Sequence, residues 1–210
     1  MRKVNPTRIN LLNLKKELKV AEKGYKLLKD KRDGLVRTFM DVVYKTQEKR
    51  ERVNKELPGV FTSYLGASAS VARKVHDIAF LLPNTKTKLE VSTKSIMSVP
   101  IPEISITREG RAFSYGILET SGELDNATKK LEVILPDLIK LAQLEKTLEN
   151  LADEIERTRR RTSALEHIRI PELRKSIRFI SQRLEEQARD AVVSTMRVKA
   201  MIVAKENASD

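Results

Sequence analysis

The chain has 210 residues, with 41 Lys and Arg against 29 Asp and Glu, a net charge of +12, 4% aromatic residues and neither cysteine nor tryptophan. That composition excludes disulfides and thiolate metal sites, and it suits a charged, helix-rich rod better than a compact enzyme with a deep core. No apolar run of about 18 residues and no leader-like start occurs, so a cytoplasmic chain without a membrane span is expected.

In chain order, Asn5-Pro6-Thr7 opens a helix, with Asn5 as the expected cap and Pro6 placed in the first turn. Apolar residues then recur alternately three and four apart at Leu11, Leu14, Leu18, Ala21, Tyr25, Leu28, Leu35, Phe39, Val42 and Val53. This is a coiled-coil seam, interrupted by Arg32 and by Thr46 and Lys49 toward its end. From Leu11 to Glu56 such a helix spans ~69 Å and needs something along its seam. Lysines crowd its outer positions, Lys15 and Lys19 among them, and either a solvated face or a partner contact accounts for them. Gly24 and Gly34 each weaken a helix by about 1 kcal/mol, so they mark either close approach by a partner or tolerated weak points.

Pro58-Gly59 predicts the helix end and a boundary between an N-terminal coil, 1–57, and a middle domain, 58–122. Val60 to Leu82 reads as short helices, and Lys88 to Arg108 as a β-hairpin of two β-branched runs joined around Pro100-Ile101-Pro102. A lone hairpin is marginal in water, so Val99, Ile101 and Ile104 are expected to meet the helices or another subunit. The two histidines, His76 and His167, lie far apart without ligand spacing, so no metal site is assigned. Gly110 to Gly122 reads as a loop with no phosphate-binding pattern.

The C-terminal part, 123–210, returns to a seam through Leu131, Leu135, Leu138, Leu141, Leu144, Leu148, Leu151, Ile155 and Leu165, with Pro136 expected to divide it. After Pro171 the seam resumes at Leu173, Ile177, Ile180 and Leu184. The fold expected is mainly α: a long antiparallel two-helix coiled coil built from the N- and C-terminal segments, with a small middle domain of short helices and one β-hairpin. Arg157, Arg159, Arg160, Arg161 and Arg189 are further candidate partner contacts. No phosphate loop, paired carboxylate or nucleophile with a histidine base is visible, so neither catalysis nor a cofactor is expected. The basic excess also permits an RNA-binding helical arm or an autonomous scaffold, but scarce aromatics and interleaved Glu and Asp weaken the nucleic-acid alternative.

Three segments, in order, carry a family resemblance. Asn5-Pro6-Thr7-Arg8 with Leu14, Leu18, Ala21, Gly24, Tyr25, Leu27, Leu28, Lys29, Lys31, Arg32, Asp33 and Leu35 resembles the D subunit of V-type and archaeal A-type ATPases. So do Ile96 to Pro102, and Arg160 to Glu166 followed by Ile170-Pro171-Glu172-Leu173, Ile177 and Ile180. The stretch Ser194 to Lys199 departs from it, being less basic than that family's end. The resemblance implies a non-catalytic rotor axle, peripheral to the membrane. Its expected partners are the catalytic A and B subunits around the coil tip, the F subunit on the stalk and the d subunit toward the membrane ring.

Overall fold

The structure, a computed structural model, describes residues 5–70, 85–110 and 121–206. Among the described residues are three long helices and one hairpin: α1 (Arg8–Ser70), β1 (Lys86–Ile96), β2 (Val99–Glu109), α2 (Gly122–Ala164), a π-helical turn (Leu165–Arg169) and α3 (Ile170–Glu206). The chain is mainly α with a coiled-coil layout. It divides into two compact units, one from 1–32 with 157–210 and the other from 33–156. The histidine at 76, the second half of the Val60 to Leu82 segment and the loop residues 111–120 lie outside the described residues.

The cap of α1 is Thr7 and not Asn5: the Asn10 N–H donates to Thr7 Oγ1 at 3.2 Å, while the Asn5 carbonyl takes the Asn10 side chain at 2.9 Å. The helix does not stop at Pro58, which sits inside it. Proline removes one backbone donor, leaving the Asn54 carbonyl without its helical partner, but both residues are exposed and water can satisfy it. Beyond Pro58 the burial stripe simply goes on, through half-buried Leu57, then Val60 and Ala67. Tertiary packing of that stripe outweighs the local penalty.

In the unit 33–156 the far part of α1 and α2 lie antiparallel. Lys49 pairs with Asp137 at 2.9 Å and Arg50 with Glu145 at 2.5 Å, while Lys130 Nζ donates to Ser63 Oγ at 2.9 Å. Pro136 does not divide α2 either. Its missing N–H orphans the Glu132 carbonyl, and the Arg108 guanidinium from β2 reaches that oxygen at 3.4 and 3.5 Å. The seam of α2 also starts in a different register from the one expected: Leu124, Ala127 and Ile134 are buried, whereas Leu135 is half-buried and Leu131 exposed.

The hairpin closes through Met97 and Ser98, both at positive φ (52° and 70°), so the prolines belong to β2 and not to the turn. A two-residue turn of this kind fits the right-handed twist of the flanking strands. With Ile96 opposite Val99, Pro100 and Pro102 fall on pairs whose backbone groups point away from β1, where no ladder bond is lost. That outer edge is covered: Asn150 Nδ2 donates to the Pro100 carbonyl at 2.9 Å, and the Ile104 N–H donates to Gln143 Oε1 at 3.3 Å.

In the other unit, Arg169 meets Glu17 at 3.1 Å and Arg174 meets Glu22 at 2.8 Å, fastening α3 and the π turn to the start of α1. Along the C-terminal seam the spacing lengthens once, from half-buried Leu165 to buried Ile170. The π turn absorbs the surplus residue, with the Ile170 N–H bonded to the Leu165 carbonyl five positions back. Pro171 follows immediately, where a regular α-helical bond would have been missing in any case.

Candidate functional site

Nothing in the described residues resembles a reaction centre, and no group of three or more His, Asp or Glu side chains could hold a metal ion among them. No helix of the described residues is long and apolar enough to cross a membrane. What the molecule offers is surface, and each unit presents a different kind.

The unit 33–156 has spent its apolar seam on itself. Leu35, Val99 and Leu151 form a core with Phe39, Val42 and Ile155 packed around it, so the hairpin tip is built into the coil. Half-buried Leu148 lines an open groove of about 530 Å³ beside the Arg50–Glu145 pair. Of the two surfaces open to them, the helices or another subunit, Val99 and Ile101, also candidate partner contacts, are buried against the chain's own helices, because the face carrying them turns inward; Ile104 is half-buried. The outward apolar residues of the hairpin lie on β1, at Leu89 and Val91, opposite Ile106 and Ile104. Strand alternation carried that signal: registering Val99 inward fixes its neighbours' sides.

Gly34 receives its explanation here, since a Cβ built on it would lie 2.7 Å from Met97 Cε of the hairpin turn, whereas Gly24 has nothing within 4 Å. The Asp137 carboxyl is held below its ordinary value. The Lys49 hydrogen bond is the main cause, opposed by burial and helped by the charges of Lys49, Arg52 and Lys140.

The second unit is more open. Leu11, Leu14, Leu18, Ala21, Tyr25 and Leu28 are half-buried along α1, facing a seam in which Ile170, Leu173 and Ile180 are buried and Leu165, Ile177 and Leu184 half-buried. Thr158 and Thr162 are also buried there, Thr162 donating to the Arg159 carbonyl at 2.8 Å. Burial first, then the Glu166 carboxylate that its hydroxyl donates to, raises the Tyr25 phenol above its usual range and keeps it protonated. All the basic candidates, Lys15, Lys19, Arg157, Arg159, Arg160, Arg161 and Arg189, are exposed.

From the Glu22–Arg174 pair α1 runs back only to Arg8, whereas α3 runs on to Glu206. The last turns of α3 therefore outreach their partner, and Val192, Val193, Met196, Val198, Met201 and Ile202 are all exposed. An apolar stretch of this kind on one helix end is an interaction surface by composition.

The chain matches the family model for the ATP synthase D subunit over residues 10–200. It is 44% identical over 209 residues to the V-type ATP synthase D subunit of Clostridium botulinum, covering 97% of each chain. It is 41% identical over 202 residues to that of Thermoanaerobacter pseudethanolicus, covering 95% of this chain and 97% of the relative.

Proposed function

Because this chain belongs to the ATP synthase D-subunit family, we propose that it is the central shaft of a V-type ATPase, a non-catalytic component that transmits rotation between ATP hydrolysis and ion transport. The observation that carries this reading is the C-terminal end of α3. It is a continuous helix whose exposed apolar side chains outreach α1, and such a helix is fit to be enclosed by a ring of other subunits. In this reading the catalytic A and B subunits surround that end, the F subunit binds along the coil, and the d subunit joins the shaft to the membrane ring.

The mechanical requirement follows from the chemistry of the coil. A shaft must transmit torque without unwinding. Here the seam positions lock the helices, the buried Thr162 hydroxyl donates within its own helix to the Thr158 and Arg159 carbonyls, and ion pairs bridge the outside. Its outer surface differs from side to side, so conformational changes in a surrounding ring would push it preferentially one way. The protein would stand in the cytoplasm, peripheral to the membrane.

The test exploits the absence of cysteine. A single cysteine at exposed Lys15 or Arg189 is joined by a disulfide to a cysteine on one ring subunit of the assembled complex. A shaft must pass every ring subunit in each cycle, so steady-state ATP hydrolysis should stop while nucleotide binding persists, and reductant should restore the rate. Undiminished hydrolysis with complete crosslinking would show a fixed scaffold instead.

A further inference from the structure

The charge of this protein is not spread along it. Residues 1–32 and 157–210 hold 24 Lys and Arg against 10 Asp and Glu, a net charge of +14, while residues 33–156 hold 17 against 19, a net charge of −2. One unit carries the entire basic excess. Like charges held close oppose the compact state, so an excess of this size weakens its own unit unless counter-charge is supplied from outside.

On α1 the excess is ordered. At seven-residue spacing or twice that, and so in columns along the outside of the coil, stand Lys15 with Lys29, Lys19 with Lys26, and Lys16 with Lys23; next to them runs an apolar column, Val20 with Leu27. Val20 and Leu27 are 70% and 69% exposed, too much apolar surface to be explained by the coil's own packing. The six lysines make no ion pair among the described residues. Of the carboxylates adjacent to them in sequence, Glu17 and Glu22 are already taken by Arg169 and Arg174, so that Asp30 beside Lys29 is set against six lysines.

We propose that the outward face of α1 from Lys15 to Lys29 docks on a protein surface that is rich in carboxylates and has an apolar strip along one side. The lysine columns require negative charge, and the Val20–Leu27 column decides its source. A nucleic-acid backbone would neutralise the lysines but leave these two side chains in water, and the face has no aromatic residue for base stacking, Tyr25 being turned to the seam. A membrane surface would demand a broad apolar face, whereas this helix has given its broad apolar face to the coil. An acidic protein surface with an apolar strip uses both features, the charges steering encounter and the apolar contact slowing release.

The inference deepens the shaft reading and rests on it only for the choice of one binding partner in the test. Four chains are compared for association with the catalytic ring prepared without this component: wild type, Lys19→Glu/Lys26→Glu, Val20→Ser/Leu27→Ser, and the control Lys45→Glu/Lys55→Glu in the other unit. All six positions are exposed, so circular dichroism should show unchanged helix content. The lysine pair should slow association by about tenfold or more at low salt, with the difference largely gone near ~0.5 M salt, and the serine pair should speed dissociation independently of salt. The control should behave as wild type. Equal effects from the control, or no effect from either pair, would overturn the proposal. If the wild-type chain itself does not enter the ring, the shaft reading fails. The docking proposal is then decided by a surface-immobilised random Glu/Leu copolymer, which should hold the wild type more tightly than poly-glutamate, duplex RNA or phosphatidylserine vesicles do. Tighter binding to RNA or to vesicles overturns it.

Discussion

The two units build their seams from the same heptad pattern and use them differently. In 33–156 the hairpin tip seals the seam, so Leu35, Val99 and Leu151 are almost entirely buried and the unit is close to neutral. In 1–32 with 157–210 nothing among the described residues plays the hairpin's part, the α1 seam residues stay half-exposed, and the surface is strongly basic. The difference shows that a heptad pattern specifies which side of a helix is apolar but not how completely that side is covered. Cover comes from a third element, and its absence leaves a surface for other molecules.

The sharpest way to break this comparison is to truncate one seam residue in each unit. Leu151→Ala removes a side chain shared by two helices and the hairpin and should cost about 2–5 kcal/mol, because a cavity is left where nothing can collapse. Leu28→Ala, at a half-buried seam position, should cost nearer ~1 kcal/mol. Urea unfolding of each variant measures both. Equal losses would mean that the hairpin adds no cover.

Much of this contrast is open to reading from the residues. The α1 seam follows directly from the spacing of Leu11 to Val53, and the hairpin from its β-branched runs. The prolines mislead for one physical reason: local sequence shows the bond that Pro58 or Pro136 removes, but not the tertiary partners that compensate. The Arg108 guanidinium on the Glu132 carbonyl is a contact between residues distant in sequence, and no local pattern announces it. The π turn, by contrast, is legible. Leu165 and Leu173 stand eight residues apart where a heptad requires seven, and that surplus residue has to be accommodated somewhere. The side on which Val99 falls is not legible, because strand alternation distinguishes two faces without saying which one meets the helices.

The basic unit can be probed independently of α1 through the arginine run that begins its C-terminal segment. Arg157→Glu with Arg161→Glu reverses two exposed charges and should weaken assembly by about 1–2 kcal/mol at low salt, with the deficit shrinking as salt rises. A solvated face would change by no more than about 0.5 kcal/mol, indifferent to salt. Equilibrium titration of the assembled complex at two salt concentrations distinguishes these outcomes.

A smaller effect marks the neutral unit. The Asp137 carboxyl is depressed in the folded state, so its stabilising contribution is complete above its unfolded value of about 3.9 and is lost as pH falls through the lower folded value. Asp137→Asn should therefore cost about 1 kcal/mol at neutral pH, and the gap between variant and wild type should close in strong acid. A constant gap across that acid range would show that the Lys49 contact does not act through charge.

The finest test uses two glycines of one helix. Gly24 faces open space, so Gly24→Ala should stabilise the isolated chain by nearly the full helix-propensity difference, about 1 kcal/mol. Gly34→Ala carries the same propensity gain, but its new Cβ meets the Met97 methyl, which must swing aside. Its net effect should lie close to zero, because the flexible thioether yields at the expense of a packing contact. Met97→Asn removes that obstacle and also places a residue tolerant of positive φ where methionine now stands at 52°. In the Met97→Asn background, Gly34→Ala should recover its full gain, while Gly24→Ala should be unaffected by the change at Met97. Thermal or urea unfolding of the single and double variants gives the coupling for each pair. A Gly34–Met97 coupling indistinguishable from zero would mean that the hairpin tip does not press on α1, and the cover that separates the two units would have to come from Val99 alone.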